Sequence, residues 1–459
     1  MQNVVRKFEA SVKITRPDYN SMAFSETVIV NFVSHHASND RESTDMVGYS
    51  FEESISDIEA GFSLTLMPTM DKDDRSWVDK IAPMDIVSFK EFGKTRYVGV
   101  VHEVRYVAQM GQTGPRRVIV VAGAGFGHLI SGFSLVLDAH LWLGGPTADS
   151  ISTTLSAEIA EKGERKLKNV LKIIWDSFIK LAVIPGDGDK QCGVFRVIES
   201  YIDADSGISS IESLYELAIG LYQVGENNIW QIFQSILPAP LYECFGRWSA
   251  EAEKYQVIIR QTPFDTSDWK KLPTTRINPI VLTDYSVGKS DREVKTFFFG
   301  ELPGSSISKE MILSLPKDYK ATRAKDSEKW PKYGYKPMSV TFRYFKRDAE
   351  TSGEQQVLQK VAARLLDWYS KNDEFLSGEI QLIGIDDSDV MGYPRIGEKV
   401  SFIGCEFYVE ATRRTWTYGE SPKVVLSVTR GYVYNSDGSR QGQVSGLGKR
   451  LMEAEGVGS

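Results

Sequence analysis

Cysteine is scarce in this sequence. Cys192, Cys244 and Cys405 are far apart and odd in number, and no pair has the short spacing of a zinc site or a redox motif. The expected state is three reduced thiols in a protein made in the cytoplasm. Histidine is scarce too: with only five in the chain, no Ser-His-Asp or Cys-His pairing can be argued from the sequence. His35 and His36 are adjacent, so on a strand they face opposite sides and do not share a metal. No stretch approaches the ~20 apolar residues of a membrane helix. The start, Met1 to Phe8, lacks the apolar run of a signal peptide, so a soluble protein without a cleavable signal is expected. Net charge is only −7, which leaves no basic nucleic-acid footprint at whole-chain level.

Ordinary core-forming residues are not lacking. Hydrophobic residues make up 42% of 459, enough for two or three domains. The first third reads as strands: Val28 to Phe32, Phe62 to Met67 stopped by Pro68, Ile86 to Phe89, Arg96 to Tyr106 and Arg117 to Ala122. The turns between them carry Gly93, Gly111 and Gly114-Pro115. The period then changes. Leu167, Val170, Leu171, Ile174, Phe178 and Leu181 make one apolar helix face, and Pro185-Gly186 stops it. A second helix is expected from Ser209, with Glu212 completing a capping box and Ile211, Leu214, Tyr215, Ala218 and Leu221 as its stripe. A third runs from Asn228 to Leu237. Strands return at Tyr255 to Arg260 and Val294 to Phe299. Lys317 to Lys336 reads as a loop or linker. Ser339 to Phe345 reads as a strand and about Glu354 to Tyr369 as a helix. Three strands follow: Lys399 to Phe402, Glu406 to Thr415 and Lys423 to Thr429. The Gly- and Ser-rich segment after Asn435 reads as a flexible tail.

The two ends share a pattern. Asp85-Ile86-Val87-Ser88-Phe89 lines up with Glu398-Lys399-Val400-Ser401-Phe402, and Tyr97-Val98 with Tyr408-Val409. Arg117-Val118-Ile119-Val120 lines up with Lys423-Val424-Val425-Leu426, and Gly125-Phe126 with Gly431-Tyr432. One β-meander used twice is the physical reading, with apolar side chains inward and polar ones outward.

Several motifs suggest chemistry and fall short of it. Gly123-Ala124-Gly125-Phe126-Gly127-His128 follows a strand, but His128 stands where a dinucleotide loop needs its third glycine. Asp203, Asp205, Gly207 and Glu212 miss the spacing of a calcium loop. Asp386, Asp387 and Asp389 could supply paired carboxylates for glycan hydrolysis, but read better as a solvated turn. Tryptophan and tyrosine sit on strand and helix faces, where packing is the default. No catalytic, cofactor-binding or metal-binding residue is therefore assigned, and no enzyme is expected.

Residues Ile81 to Ile130, with Tyr97-Val98-Gly99-Val100-Val101 and its following glycine loop, resemble the first tube-like domain of the baseplate hub proteins of contractile phage tails and phage-like particles. Trp230, the run Leu237 to Glu243, and the run Ile258 to Asp265 are similar to that family's tryptophan helix, proline turn, glutamate strand and Arg-x-x-Pro-Phe exit. Val428-Thr429-Arg430-Gly431 resembles the end of the second tube-like domain. The resemblance spans residues 20 to 434. It implies a β-rich α+β fold divided into a first tube-like β domain (1–136), a helical insertion (137–240), a small β domain and linker (241–335), a second tube-like β domain (336–434) and a tail (435–459). It further implies a homotrimeric, pseudo-hexameric ring joining the hexameric tail tube protein to the trimeric central spike protein. Tape-measure and baseplate wedge proteins would be partners, and DNA would pass through the channel without specific binding, which weak negative charge suits. Such a protein is found in the bacterial cytoplasm during assembly and then in the particle. The other classes carried by the same residues are a tail-associated cell-wall hydrolase and a tail-tip adaptor.

Overall fold

A computed structural model describes residues 9–20, 24–35, 41–70, 74–111, 114–132, 166–180, 193–211, 228–301, 323–342, 351–384 and 394–442. The fold is β-rich α+β. Its N-terminal unit holds β1 (Ala10–Pro17), β2 (Glu26–Val33), β3 (Glu42–Ser43), β4 (Met46–Ser54), β5 (Gly61–Leu66), β6 (Ile86–Glu91), β7 (Lys94–Gly111) and β8 (Gly114–Gly125). Alternation drives these strands: in β5, Phe62, Leu64 and Leu66 are buried while the residues between them are not, the period that gives a sheet one core face.

Helices follow at Leu167–Lys180, Gly193–Tyr201, Asp205–Ser210 and Ile229–Ile236. They pack with a small sheet of β9 (Ile202–Asp203), β10 (Tyr242–Ser249) and β11 (Lys254–Gln261), ordered β10-β11-β9. Asn228 starts the last of these helices by accepting the Gln231 N–H at 2.8 Å, and the Gln231 side chain returns the bond. Next come β12 (Thr274–Arg276), β13 (Leu282–Gly288), and a sheet of β14 (Phe297–Glu301), β15 (Arg323–Lys325) and β16 (Pro337–Thr341) covered by the helix Thr351–Tyr369. The C-terminal unit closes with β17 (Leu376–Ile383), β18 (Lys399–Phe402), β19 (Cys405–Thr417), β20 (Lys423–Tyr434) and β21 (Arg440–Gly442). Among the described residues, no helix is long and apolar enough to cross a membrane.

The two units repeat one strand order. The first runs β1-β6-β7-β8-β5-β4 and the second β12-β18-β19-β20-β17-β13. Both hairpins at the centre turn on two successive positive-φ residues, Phe92-Gly93 and Ile403-Gly404, the backbone of a type I′ turn. Both long strands slip register at a matching place, between Val101 and Glu103 against β8 and between Val409 and Ala411 against β20, and β19 slips a second time between Glu406 and Tyr408. These bulges make Val101 the counterpart of Val409, which displaces the Tyr97–Tyr408 alignment suggested by the sequence. The copies differ at the outer strand: β1 meets β6 antiparallel, whereas β12 meets β18 parallel.

Several elements differ from expectation. A short helix spans Asp205–Ser210, and its start is held by the Asp203 carboxylate, which accepts the Ser206 N–H and hydroxyl; the helix expected from Ser209, with its stripe from Ile211 to Leu221, lies past Ile211 outside the described residues. The charged stretch expected as a linker contains β15, which gains hydrogen bonds from β14, and a helical turn at Trp330–Tyr333. The strand expected from Val294 begins at Phe297, and that from Ser339 begins at Pro337. β12 and β13 fall in the segment assigned by sequence to the small β domain, yet pair in the second unit's sheet. The tail begins with order, because the turn Asn435 to Ser439 folds β21 back on β20.

One buried ion pair joins the units. Arg414 of β19 is 1% exposed and meets Glu91 of β6, 0% exposed, whose carboxylate also accepts the Tyr49 hydroxyl at 2.7 Å. Removing one partner strands the other charge in the core. Glu91→Ala should therefore cost about 3–5 kcal/mol in urea unfolding. Arg413→Ala, which breaks the exposed pair with Glu52, should cost less than about 1 kcal/mol.

Candidate assembly interface

The seam between the units is a strand pair. β19 and β4 run antiparallel, with Ala411 opposite Ser54, Arg413 opposite Glu52, Trp416 opposite Tyr49 and Thr417 opposite Gly48. Gly48 permits the close approach, since a Cβ there would lie 2.7 Å from the Trp416 carbonyl oxygen. Alternation sorts the chemistry. Tyr49, Phe51, Arg414 and Trp416 point inward and are buried, and Trp416 belongs to the first unit's core. Arg413 and Glu52 point outward, 3.1 Å apart.

The β10–β11 hairpin braces this seam from behind. The Trp248 N–H donates to Glu53 Oε1 at 3.2 Å, and the Tyr255 hydroxyl donates to the Ile58 carbonyl at 3.1 Å, both in the first unit. Toward the second unit, Arg247 meets Glu398 at 2.8 Å. Arg260 meets Glu243 at 2.7 Å, and Glu243 in turn accepts the Tyr408 hydroxyl. Burial pushes the Glu53 carboxyl up to about 7, opposed by the Trp248 N–H and by Arg247, Arg414 and Arg395.

Each strand of the seam has a counterpart that lacks such a partner among the described residues. β13, the counterpart of β4, ends the sheet with β17 as its one neighbour, and β7 beyond Val101 is paired with β8 alone. Both segments are mostly exposed, and Tyr106 on β7 is 50% exposed.

The residues singled out in the sequence have other work. Gly123 and Gly127 serve packing: a Cβ would come within 2.0 Å of the Val100 carbonyl oxygen at one, and 1.9 Å of that of Ile58 at the other. Asp203 caps a helix. His35 follows β2, while His36, Glu212, Asp386, Asp387 and Asp389 lie outside the described residues. Cys244 and Cys405 carry no disulfide. One polar cluster escaped the sequence reading. Ser131 donates to Glu59 at 2.6 Å, His128 Nδ1 lies 3.3 Å from the same carboxylate, and the His102 ring sits 4.2 Å from that of His128. The serine hydroxyl is given to a carboxylate and not to an imidazole, which differs from the Ser–His arrangement of a hydrolase triad. Among the described residues no group of His, Cys, Asp and Glu is arranged to hold a metal ion. Arg414 and Glu91 also went unnoticed, for no spacing links them.

A carboxyl whose folded pKa is raised stabilises the fold below its unfolded value of about 4.3, and loses that contribution as pH climbs through about 7. The uncharged variant Glu53→Gln should therefore gain stability relative to the parent across that window and hold a constant advantage above it. Urea midpoints of both proteins between pH 4.5 and 8 measure this; parallel curves would contradict it.

No protein-family model and no curated protein matches the sequence. Among solved structures, the fold is similar to the tail protein from Neisseria meningitidis MC58, at 12% identity over 92% of this chain and 96% of that one, with a TM-score of 0.45. It is similar to the 43 kDa tail protein of prophage MuSo2 from Shewanella oneidensis, at 12% identity over 94% and 99% of the two chains, with a TM-score of 0.44. It is also similar to the prophage tail protein gp18 from Listeria monocytogenes EGD-e, at 11% identity over 98% and 99%, with a TM-score of 0.38.

Proposed function

We propose that the chain is a structural subunit of a tail or baseplate hub, and that three copies form a ring of six near-equivalent β units. The observation that carries this reading is the repeat of one strand order in two units joined laterally into one sheet. A chain that already holds two such units side by side needs only three copies to present six. Such a ring offers sixfold repetition to a hexameric tube and threefold repetition to a trimeric spike, with closed symmetry setting the match. The number three comes from the family resemblance in Tyr97 to Val101, Trp230, Leu237 to Glu243 and Ile258 to Asp265.

The partners in this reading are the tail tube and central spike proteins on the two faces of the ring, tape-measure and wedge proteins beside them, and DNA in transit. The weak negative charge disfavours the salt-sensitive phosphate binding that would hold DNA in the channel. The role is mechanical and needs no chemistry from the chain.

Light scattering on the purified full chain should give a mass three times that of one subunit. A dimer or hexamer would refute the stoichiometry. Purified peptidoglycan incubated with the same protein should release no soluble fragments; release abolished by Asp387→Asn would replace the structural reading with an enzymatic one.

A further inference from the structure

We propose that the outer face of the β14–β15–β16 sheet is a binding platform for single-stranded nucleic acid, on which Phe297, Phe299, Trp330 and Tyr335 stack against bases while Lys325, Lys332 and Lys336 meet the phosphates. This sheet is separate from the one that joins the two units, and its role does not depend on the ring.

Alternation splits the small sheet into two chemically different faces. Toward the helix Thr351–Tyr369, Phe298 and Val340 are fully buried, with Ala324 and Met338 packed beside them. A Cβ on Gly300 would lie 2.6 Å from the Leu358 side chain, so the helix is seated directly on the backbone there. The alternate residues belong to the other face. Register sets Phe297 beside Lys325 and Pro337, Phe299 beside Arg323 and Ser339, and Glu301 beside Thr341. Three consecutive phenylalanines therefore divide their work. The middle one fills the core, while Phe297 and Phe299 stay half-buried on the far side and belong to none of the apolar clusters among the described residues.

The segment after β15 completes an aromatic surface. Trp330 and Tyr335 lie against Phe297, with ring centroids 5.9 and 5.3 Å away, and 5.8 Å from each other. Phe299 is 5.7 Å from Phe297. Gly334, at φ 69°, turns the chain so that Tyr335 returns to the sheet. Thr296 fixes that return: its hydroxyl donates to the Gly334 carbonyl at 2.6 Å and accepts the Lys336 N–H at 3.0 Å. The rings are thus preset, with Tyr335 57% exposed.

Cations frame the rings. Lys325 Nζ lies 4.3 Å from the Trp330 ring, and the Lys332 and Lys336 ammoniums 4.6 and 5.3 Å from that of Tyr333. Nearby carboxylates have other partners: Asp373 and Glu374 hold Lys329, Asp326 accepts the Lys329 N–H, and Glu301 accepts the Thr341 hydroxyl. Among the described residues, Lys325, Lys332 and Lys336 form no ion pair. Rings on a sheet with ammoniums at their margin suit unstacked bases strung on phosphates, since every base offers a π face. An acidic peptide answers both features only where its own aromatic residues happen to fall, whereas every nucleotide carries a ring and a charge. Duplex DNA in transit keeps its bases stacked inside and does not engage the rings.

Anisotropy of fluorescein-labelled dT and rU twelve-mers with the full chain tests this. Both should bind, with affinity falling steeply between about 50 and 200 mM salt, and a duplex of the same length should bind about tenfold more weakly. Tyr335→Leu should weaken the single strand about fivefold or more, and Tyr335→Phe should retain it; both variants should keep the parent's urea midpoint. Lys325→Gln with Lys332→Gln should lower the slope of log affinity against log salt by about 1.4. A preference for either sugar would name the source as RNA or DNA. Equal affinity for the duplex, or Tyr335→Leu binding like the parent, would reduce the platform to a polyanion surface and overturn the stacking. No binding at about 100 micromolar protein, the weak limit of non-specific contacts, would overturn the assignment altogether, as would capture of an acidic poly(Glu,Tyr) peptide in preference to both oligonucleotides.

Discussion

The pairing of β19 with β4 is the constraint on which the rest of the architecture hangs. It fuses two sheets of separate sequence origin into one, and places a guanidinium and a carboxylate where water does not reach. Desolvating that pair is expensive, and its attraction repays the cost only with good geometry and further hydrogen bonds. The Tyr49 hydroxyl supplies one such bond. The pair specifies the seam as well as holding it: a slip of one residue along β19 would turn Arg414 outward and bring Arg413 in.

The small β hairpin makes the seam a three-body contact. β10 and β11 touch the first unit through Glu53 and Ile58, and the second through Glu398, Tyr408 and the Gly397 carbonyl. The helices between the repeated units in sequence therefore have a structural purpose. They anchor the hairpin in the largest apolar cluster, which reaches from Ile86 and Phe126 to Trp368. The two units are held at one relative orientation by these contacts.

A repeat inside one chain also separates what must be permanent from what must assemble. The internal seam forms during folding, so it can carry a buried charge pair whose partners are delivered by the chain itself. A seam between copies, as in the proposed ring, would form from surfaces already folded. Half-exposed apolar side chains and open strand edges are compatible with that state, whereas an unpaired buried charge is not. Short exposed lengths and flanking charges, such as Glu103 with Arg105, moderate the edge.

Local pattern determined much of this protein from sequence alone. Period-two runs located β2, β5, β6, β7 and β8, and period 3.6 located Leu167–Lys180 and Thr351–Tyr369, because side-chain direction along a strand or helix is a local property. The likeness of Ile86 to Phe89 with Lys399 to Phe402 disclosed the duplication. Other features depended on contacts between distant residues. β12 and β13 look like parts of a middle domain until β18 and β17 claim their hydrogen bonds. The bulges that fix the true equivalence of the copies are invisible in composition. Arg414 reads as one of two adjacent arginines on a strand, and Glu91 as a polar residue in a turn. Only the fold brings them together across a separation of 323 residues, since the energy of a buried ion pair depends on which charge faces which, and tertiary structure alone decides that.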